Sequence, residues 1–251
     1  MAGFEINEWA AYAERIGCKS AELTLDYPNN PAHPEVKDAI LGLNLEEIAL
    51  HAPFVYSDIG SISERHRLAS LEDIRETAEL ARQLDAKKVT VHPGSKTKFS
   101  EREGRSRRAL GASFALLDKV GLENGVRIAI ENMPFRPRSF LNDNIHDLDS
   151  AKKVAEMAVE HENIGFCLDV GHARTTENCL TLMEVFKKRI WDVHLHDSDG
   201  ANDHKSIGKG TLDFERIIPE LKRHYKGTAF LENVDETGFE ENKRAVMLLN
   251  P

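Results

Sequence analysis

The chain of 251 residues has only three cysteines, Cys18, Cys167 and Cys179, and no CxxC spacing among them. An odd, widely spaced set excludes a disulfide framework and a cysteine-based zinc knot. These residues read as reduced thiols, with Cys18 and Cys179 inert. Aromatic residues make up 7%, which suggests no platform for stacking nucleic-acid bases. Basic residues are also in deficit: 33 Lys plus Arg stand against 42 Asp plus Glu, a formal net charge of −9. That balance argues against a broad nucleic-acid-binding coat, although it leaves room for a local basic rim. No uncharged run approaches the roughly 18–20 residues that a membrane helix needs. The amino terminus, Met1-Ala2-Gly3-Phe4-Glu5-Ile6-Asn7-Glu8, has neither the basic nor the apolar segment of a secretion signal. The expected location is the cytoplasm. A P-loop, a dinucleotide fingerprint and a Gly-x-Ser-x-Gly elbow are missing as well.

What is present is alternation. Short apolar runs at 21–25, 48–51, 88–92, 127–131, 164–169, 191–196 and 228–232 are separated by helix-period segments. Those segments are 64–84, 107–123, 148–160, 179–187, 214–224 and 240–249, and a further helix covers 6–16 before Gly17. Asp149-Ser150 and Asp213 offer capping oxygens at two helix starts. Strand–helix alternation over the whole length implies parallel strands with crossover helices. With no linker or break in composition, residues 1–251 read as one domain, an α/β chain of the (β/α)8 TIM-barrel class. Seven strands are legible; the first of eight would have to fit into Met1–Phe4, so it is abbreviated or missing.

Six consecutive strands finish in a polar residue: His51, His92, Glu131, Asp169, then His194 with His196, and Glu232. Successive ends lie about 40 residues apart, with one interval of about 25, roughly a strand-plus-helix unit each. In a parallel barrel all such ends gather at one face, where catalytic groups sit. Strand parity agrees. Ala49 and His51, Thr90 and His92, Ala129 and Glu131, Cys167 and Asp169 share a side and are small or polar. The alternating set, Ile48 and Leu50, Val89 and Val91, Ile128 and Ile130, Phe166 and Leu168, is bulky and apolar, as expected beneath helices. The polar ends therefore point into the barrel. One such residue would ordinarily be a solvated strand end; six with consistent parity are hard to obtain that way. Three carboxylates in one pocket repel one another, and a divalent cation bound by carboxylates and neutral imidazoles resolves the conflict.

At His92-Pro93-Gly94, Ile130-Glu131-Asn132, Leu168-Asp169-Val170-Gly171-His172-Ala173, Val193-His194-Leu195-His196-Asp197 and Leu231-Glu232-Asn233, the chain resembles the xylose isomerase-like TIM barrels. That group contains sugar isomerases and epimerases and the endonuclease IV family. The resemblance implies a central metal quartet of Glu131, Asp169, His194 and Glu232. It implies that His51 and His92 hold an additional zinc or contact substrate, and that His172 contacts a substrate hydroxyl or ligates a third zinc together with His204. The endonuclease pattern completes the third site with Asp-x-His; here the stretch is Asn202-Asp203-His204, with Asn in the position of that Asp. One to three Zn²⁺ or Mn²⁺ ions are therefore expected.

Two reactions fit these residues. In the first, a metal-dependent isomerase or epimerase acts on a sugar or sugar phosphate, with Glu131 and Glu232 as acid and base on two faces of the bound ketose. His51, His92, His172, Lys96, Arg136 and Lys205 would contact the substrate. Lys98, Arg138, Arg174 and Lys209 add to a cationic rim that reads either as ordinary solvated surface or as a phosphate site. In the second, a zinc-dependent abasic-site endonuclease uses the same carboxylates with His51, His92, His172 and His204, which makes nucleic acid a partner. A non-catalytic metal- or sugar-binding barrel is the minor third reading.

Overall fold

The computed structural model describes residues 6–15, 17, 19–26, 34–43, 45–97, 104–136, 139–232, 238 and 240–244. The anticipated position of a first strand, Cys18, Lys98, Arg138 and the second half of the last anticipated helix lie outside these residues. Helix α1 (Ile6–Arg15) leads into strand β1 (Ser20–Thr24), and the pattern then repeats. It continues with α2 (Pro34–Leu41), β2 (Glu47–His51), α3 (Glu64–Gln83), β3 (Lys88–Val91), β4 (Ser95–Thr97) and α4 (Arg105–Asn124). Next come β5 (Arg127–Glu131), β6 (Leu141–Asp143), α5 (Leu148–Ala158), β7 (Ile164–Asp169) and α6 (Thr176–Phe186). The barrel strands end with β8 (Ile190–Leu195) and β9 (Phe230–Leu231), joined through α7 (Phe214–His224).

Seven strands form one all-parallel sheet in the order β1-β2-β3-β5-β7-β8-β9. Strands β1 and β9 come close enough to almost shut the cylinder, and Thr228 beside β9 hydrogen-bonds to Glu47 of β2. The fold is thus a TIM barrel with seven strands among the described residues. Strands β4 and β6 form a separate antiparallel pair at the barrel mouth. That pair and α2 were not anticipated, because three-residue strands and an eight-residue helix are too short to show a period.

Register carries the parity argument into space. His51 pairs with Thr90, Thr90 with Ala129, Glu131 with Cys167, and Asp169 with His194, so residues anticipated to share the inner side do share it. The other side packs on helices that expose one apolar stripe each. In α4, Leu110, Phe114, Leu117 and Gly121 recur at helical spacing and are buried. Each large side chain so buried contributes about 1.5–3 kcal/mol. Helix α5 is capped two residues earlier than anticipated, by Asp147, whose carboxylate accepts the Ser150 N–H at 2.8 Å in a capping box. Among the described residues, no helix is long and apolar enough to cross a membrane.

Candidate metal centre

Polar contacts at the strand ends and in the loops after them fix where several functional side chains point. The Asn132 side chain donates to the Asp169 carbonyl at 2.9 Å and accepts the Asp169 N–H at 3.0 Å, stapling β5 to β7. Asp169 Oδ1 accepts the His172 N–H at 2.7 Å, which is the local reason for the Asp-x-x-His spacing. Buried Asp197 accepts N–H bonds from Ser198, Gly208, Gly210 and Leu212 at 2.7–3.2 Å, folding the loop that presents Asp203 and His204. Gly94, at φ +69°, lets the His92-Pro93-Gly94 turn press against Gly60, whose amide would lie 2.3 Å from an added Cβ.

These supports bring the anticipated residues together. One donor atom from each of Glu131, Asp169, His194 and Glu232 lies within 4.8 Å of the others. His194 Nδ1 is 3.2 Å from Glu232 Oε2 and 3.8 Å from both Glu131 Oε1 and Asp169 Oδ2. Glu131 also meets a second group through its other oxygen, with His51 Nε2 at 3.2 Å and His92 Nε2 at 3.3 Å. Phe54 stacks on His92 at 4.7 Å and meets His51 edge-on at 5.4 Å, walling that group. Asp26 holds this loop by accepting the Phe54 and Val55 N–H groups at 3.0 and 3.1 Å. A third group comprises His172, His196 and His204.

Hydrogen bonds assign several imidazole protons. His51 Nδ1 donates to the Ala52 carbonyl at 2.8 Å, so Nε2, which faces Glu131 at 3.2 Å, is the nitrogen that would offer a lone pair to an ion and otherwise donates to the carboxylate. His172 Nδ1 donates to the Asn132 carbonyl at 3.1 Å. His196 differs: its Nδ1 accepts the His204 N–H at 2.8 Å, and its Nε2 donates to Asp169 at 3.0 Å. Both ring nitrogens are therefore committed, and His196 orients Asp169 and His204 without a lone pair to offer. The third group reduces to His172 and His204. Asp203 lies beside them, 3.0 Å from His204 Nδ1 and 3.9 Å from His172 Nε2.

The donor set fits a divalent cation on an observation of its own. Glu131 Oε1, His194 Nδ1 and Glu232 Oε2 are buried and form no hydrogen bond among the described residues. His172 Nδ1 is 3.0 Å from Glu131 Oε1, but its proton is directed to Asn132. Buried polar atoms left without a partner are costly; here they converge on one point from three strand ends. Second partners on His51 and His172 are backbone carbonyls, the usual support for metal-binding imidazoles.

The electrostatics agree. Burial pushes the Glu131 carboxyl up, but the charge of His92 and contacts with His172, His194 and His51 outweigh it and hold the group well below the usual carboxylate range. Glu232 is depressed in the same way, with His194 and His204 overcoming burial. Against burial, Asp169 and Glu131 lift His172 to about 9, and Asp203 and Glu232 lift His204 to about 11. In an ion-free pocket the acids thus draw protons onto the imidazoles. The Glu131 side chain is 1% exposed and that of Glu232 37%, so Glu232 is the member open to an incoming molecule.

Among the described residues of the anticipated cationic rim, three of five are engaged or buried. Lys96 is buried within β4, not on the surface. Lys205 pairs with Asp199 at 2.6 Å. Arg174, in the left-handed region at φ 70°, donates to the Gly200 and Phe135 carbonyls and so ties three loops together. Arg136 and Lys209 are exposed. Two residues at the site were missed in the sequence. His196 is visible in the sequence as a strand end without an assigned role. Glu22, on β1, places Oε2 2.5 Å from His194 Nε2; as a lone acid between Ala21 and Leu23 on the inner parity of the first strand, it could have been found by the alternation that found the others.

With this geometry in place, comparison with known proteins identifies the class. The family model described as xylose isomerase-like TIM barrel matches residues 10–247, and the chain belongs to that family. Uncharacterized protein MJ1311 of Methanocaldococcus jannaschii is 33% identical over 74% of this chain, which spans 64% of that protein's length. Probable endonuclease 4 of Mycobacterium bovis (strain BCG / Pasteur 1173P2) is 25% identical, covering 84% of each chain. A crystal structure of a D-tagatose 3-epimerase-like protein superposes with a TM-score of 0.82 at 23% identity, covering 92% of this chain and 88% of that one; at that identity the likeness concerns the fold.

Proposed function

We propose that the protein is a divalent-metal-dependent isomerase or epimerase of a sugar or sugar phosphate, with Glu131, Asp169, His194 and Glu232 holding the ion. The observation that carries this reading is the convergence of unpartnered Glu131 Oε1, His194 Nδ1 and Glu232 Oε2 beside Asp169. Carboxylate and imidazole donors suit Zn²⁺ or Mn²⁺, and such an ion, when bound, polarises a carbonyl and its adjacent hydroxyl. Glu131 and Glu232 stand at opposite ends of the quartet, on β5 and after β9, with β7 and β8 between them. From those positions one takes a proton from the carbon beside the carbonyl and the other returns one to the opposite face. His172 and His204 orient hydroxyl groups, and Phe54 with His92 forms an apolar wall. The engagement of Lys96, Arg174 and Lys205 weighs toward an uncharged sugar. The sugar-epimerase name attached to the D-tagatose 3-epimerase-like neighbour points the same way.

Abasic-site endonuclease activity is the second reading, favoured by the additional His51–His92–Glu131 group and by the relationship to probable endonuclease 4. The test places purified, metal-supplemented protein with a panel of free ketoses, ketose phosphates and an abasic-site duplex. Turnover of a ketose, abolished in Glu232→Ala, is the expected result. Strand nicking that disappears in His51→Ala, with no ketose converted, would reverse the ranking.

A further inference from the structure

We propose that Glu22 is a positioning residue that fixes the His194 ring with its proton on Nε2 and so makes Nδ1 the donor of the quartet. The inference rests on reading Glu131, Asp169, His194 and Glu232 as a divalent-ion site. Glu22 sits mid-way along β1, in register with Ala49 of β2, and shares the inner side with it. Its neighbours Ala21 and Leu23 are buried on the other side. His194 is on β8 and in register with Asp169. In sheet order β1 is at one end and β8 is one strand short of the other, with β9 between β8 and the closing seam. The Glu22–His194 contact therefore spans the place where the cylinder nearly shuts, and joins residues 172 positions apart at 2.5 Å.

A neutral imidazole carries one proton. With that proton on Nε2, the ring donates to Glu22 and presents the Nδ1 lone pair to Glu131, Asp169 and Glu232. With the proton on Nδ1, the Nε2 lone pair would face a carboxylate oxygen at 2.5 Å, a repulsive arrangement, and the fourth donor of the quartet would be blocked. Deleting the Glu22 oxygen removes the preference between the two forms. A carboxylate behind a ligating histidine also raises the basicity of the ring, and loss of such partners typically weakens metal binding by about 10–100-fold. A purely space-filling role would predict that any side chain of similar length serves equally well.

The test compares wild type, Glu22→Gln and Glu22→Met after metal stripping, each titrated with Zn²⁺ against a chromophoric chelator. Gln keeps an oxygen that accepts the Nε2 proton but loses the charge; Met keeps the length alone. Zinc affinity is expected to fall about 10-fold for Gln and about 100-fold for Met, with far-UV circular dichroism of the stripped proteins unchanged for Gln. In zinc-loaded wild type, two-bond ¹H–¹⁵N spectra place the His194 proton on Nε2. Equal zinc affinity in all three proteins, an equal loss in Gln and Met, or a proton on Nδ1 would overturn the role of Glu22. A wild type that binds no zinc or manganese would instead overturn the quartet itself.

Discussion

His196 is bound to Asp169 through Nε2 at 3.0 Å, and the same imidazole lies against the α-carbon of Gly171, where an added Cβ would fall 2.0 Å from the ring. The Asp-x-Gly-His stretch that follows from the end of β7 and the His-x-His stretch at the end of β8 are thus one interlocked unit. Asp169 is oriented from two sides, by the His172 amide and by His196. Its freedom to swing away from the quartet is correspondingly small.

Two substitutions test this interlock. His196→Ala removes a fully buried ring and leaves Asp169 and the His204 amide short of a partner, a loss of about 2–4 kcal/mol. Gly171→Ala forces the ring to move and destabilises by a similar amount. Because both act on the same contact, the double variant is expected to lose clearly less than the two single losses together. Urea titration of the four proteins checks it; full additivity would mean that the ring and the glycine do not meet.

Beneath the candidate metal centre, Lys88 of β3 and Asp192 of β8 form a buried pair at 2.9 Å, joined by the Thr90 hydroxyl at 3.1 Å from Asp192. Burial and the Glu22 charge drive the Asp192 carboxyl up to about 7 even with Lys88 opposing them. Lys88→Met leaves an uncompensated buried acid and is expected to cost about 3–5 kcal/mol. Lys88→Met with Asp192→Asn removes both charges and should recover most of that loss. Thermal melts of the three proteins decide between a charge effect and a packing effect, the latter giving no recovery.

Asp147 supplies the pH dependence with the clearest sign. Burial raises its carboxyl, but the hydroxyl and amide of Ser150 and the nearby His146 outweigh it and leave the group below its ordinary 3.8. A depressed folded value means that the charged cap stabilises above the unfolded value and that the contribution is lost as pH falls through the folded one. Asp147→Ala is therefore expected to be about 1 kcal/mol less stable than wild type at neutral pH, with the gap narrowing below about pH 4. Asp147→Asn, which keeps an accepting oxygen, should retain most of the stability throughout.

The barrel and the inward direction of its polar strand ends were legible in the sequence because both rest on strand parity, a period of two that survives from chain to structure, whereas the choice of four of those residues as a quartet rests on the family resemblance. Glu131, Asp169, His194 and Glu232 each close a run of alternating side chains, so their common direction could be read directly. Glu22 sits in the middle of its strand, where the alternation marks it as inward but no terminal position singles it out. The double engagement of His196 is set by a loop amide eight residues away, and the burial of Lys96 by a short strand pair, neither of which leaves a periodic trace. Asp203 stands one position away from the Asp of an Asp-x-His pattern. The loop that Asp197 organises brings it to His172 all the same.

The central claim is that Glu131, Asp169, His194 and Glu232 share one divalent cation. Crystals grown with zinc and measured at the zinc absorption edge test it most directly. The expected result is an anomalous peak at about 2.0–2.2 Å from His194 Nδ1 and from one oxygen of each carboxylate. Anomalous density confined to other residues, with these four side chains packed on one another at millimolar zinc, would contradict it.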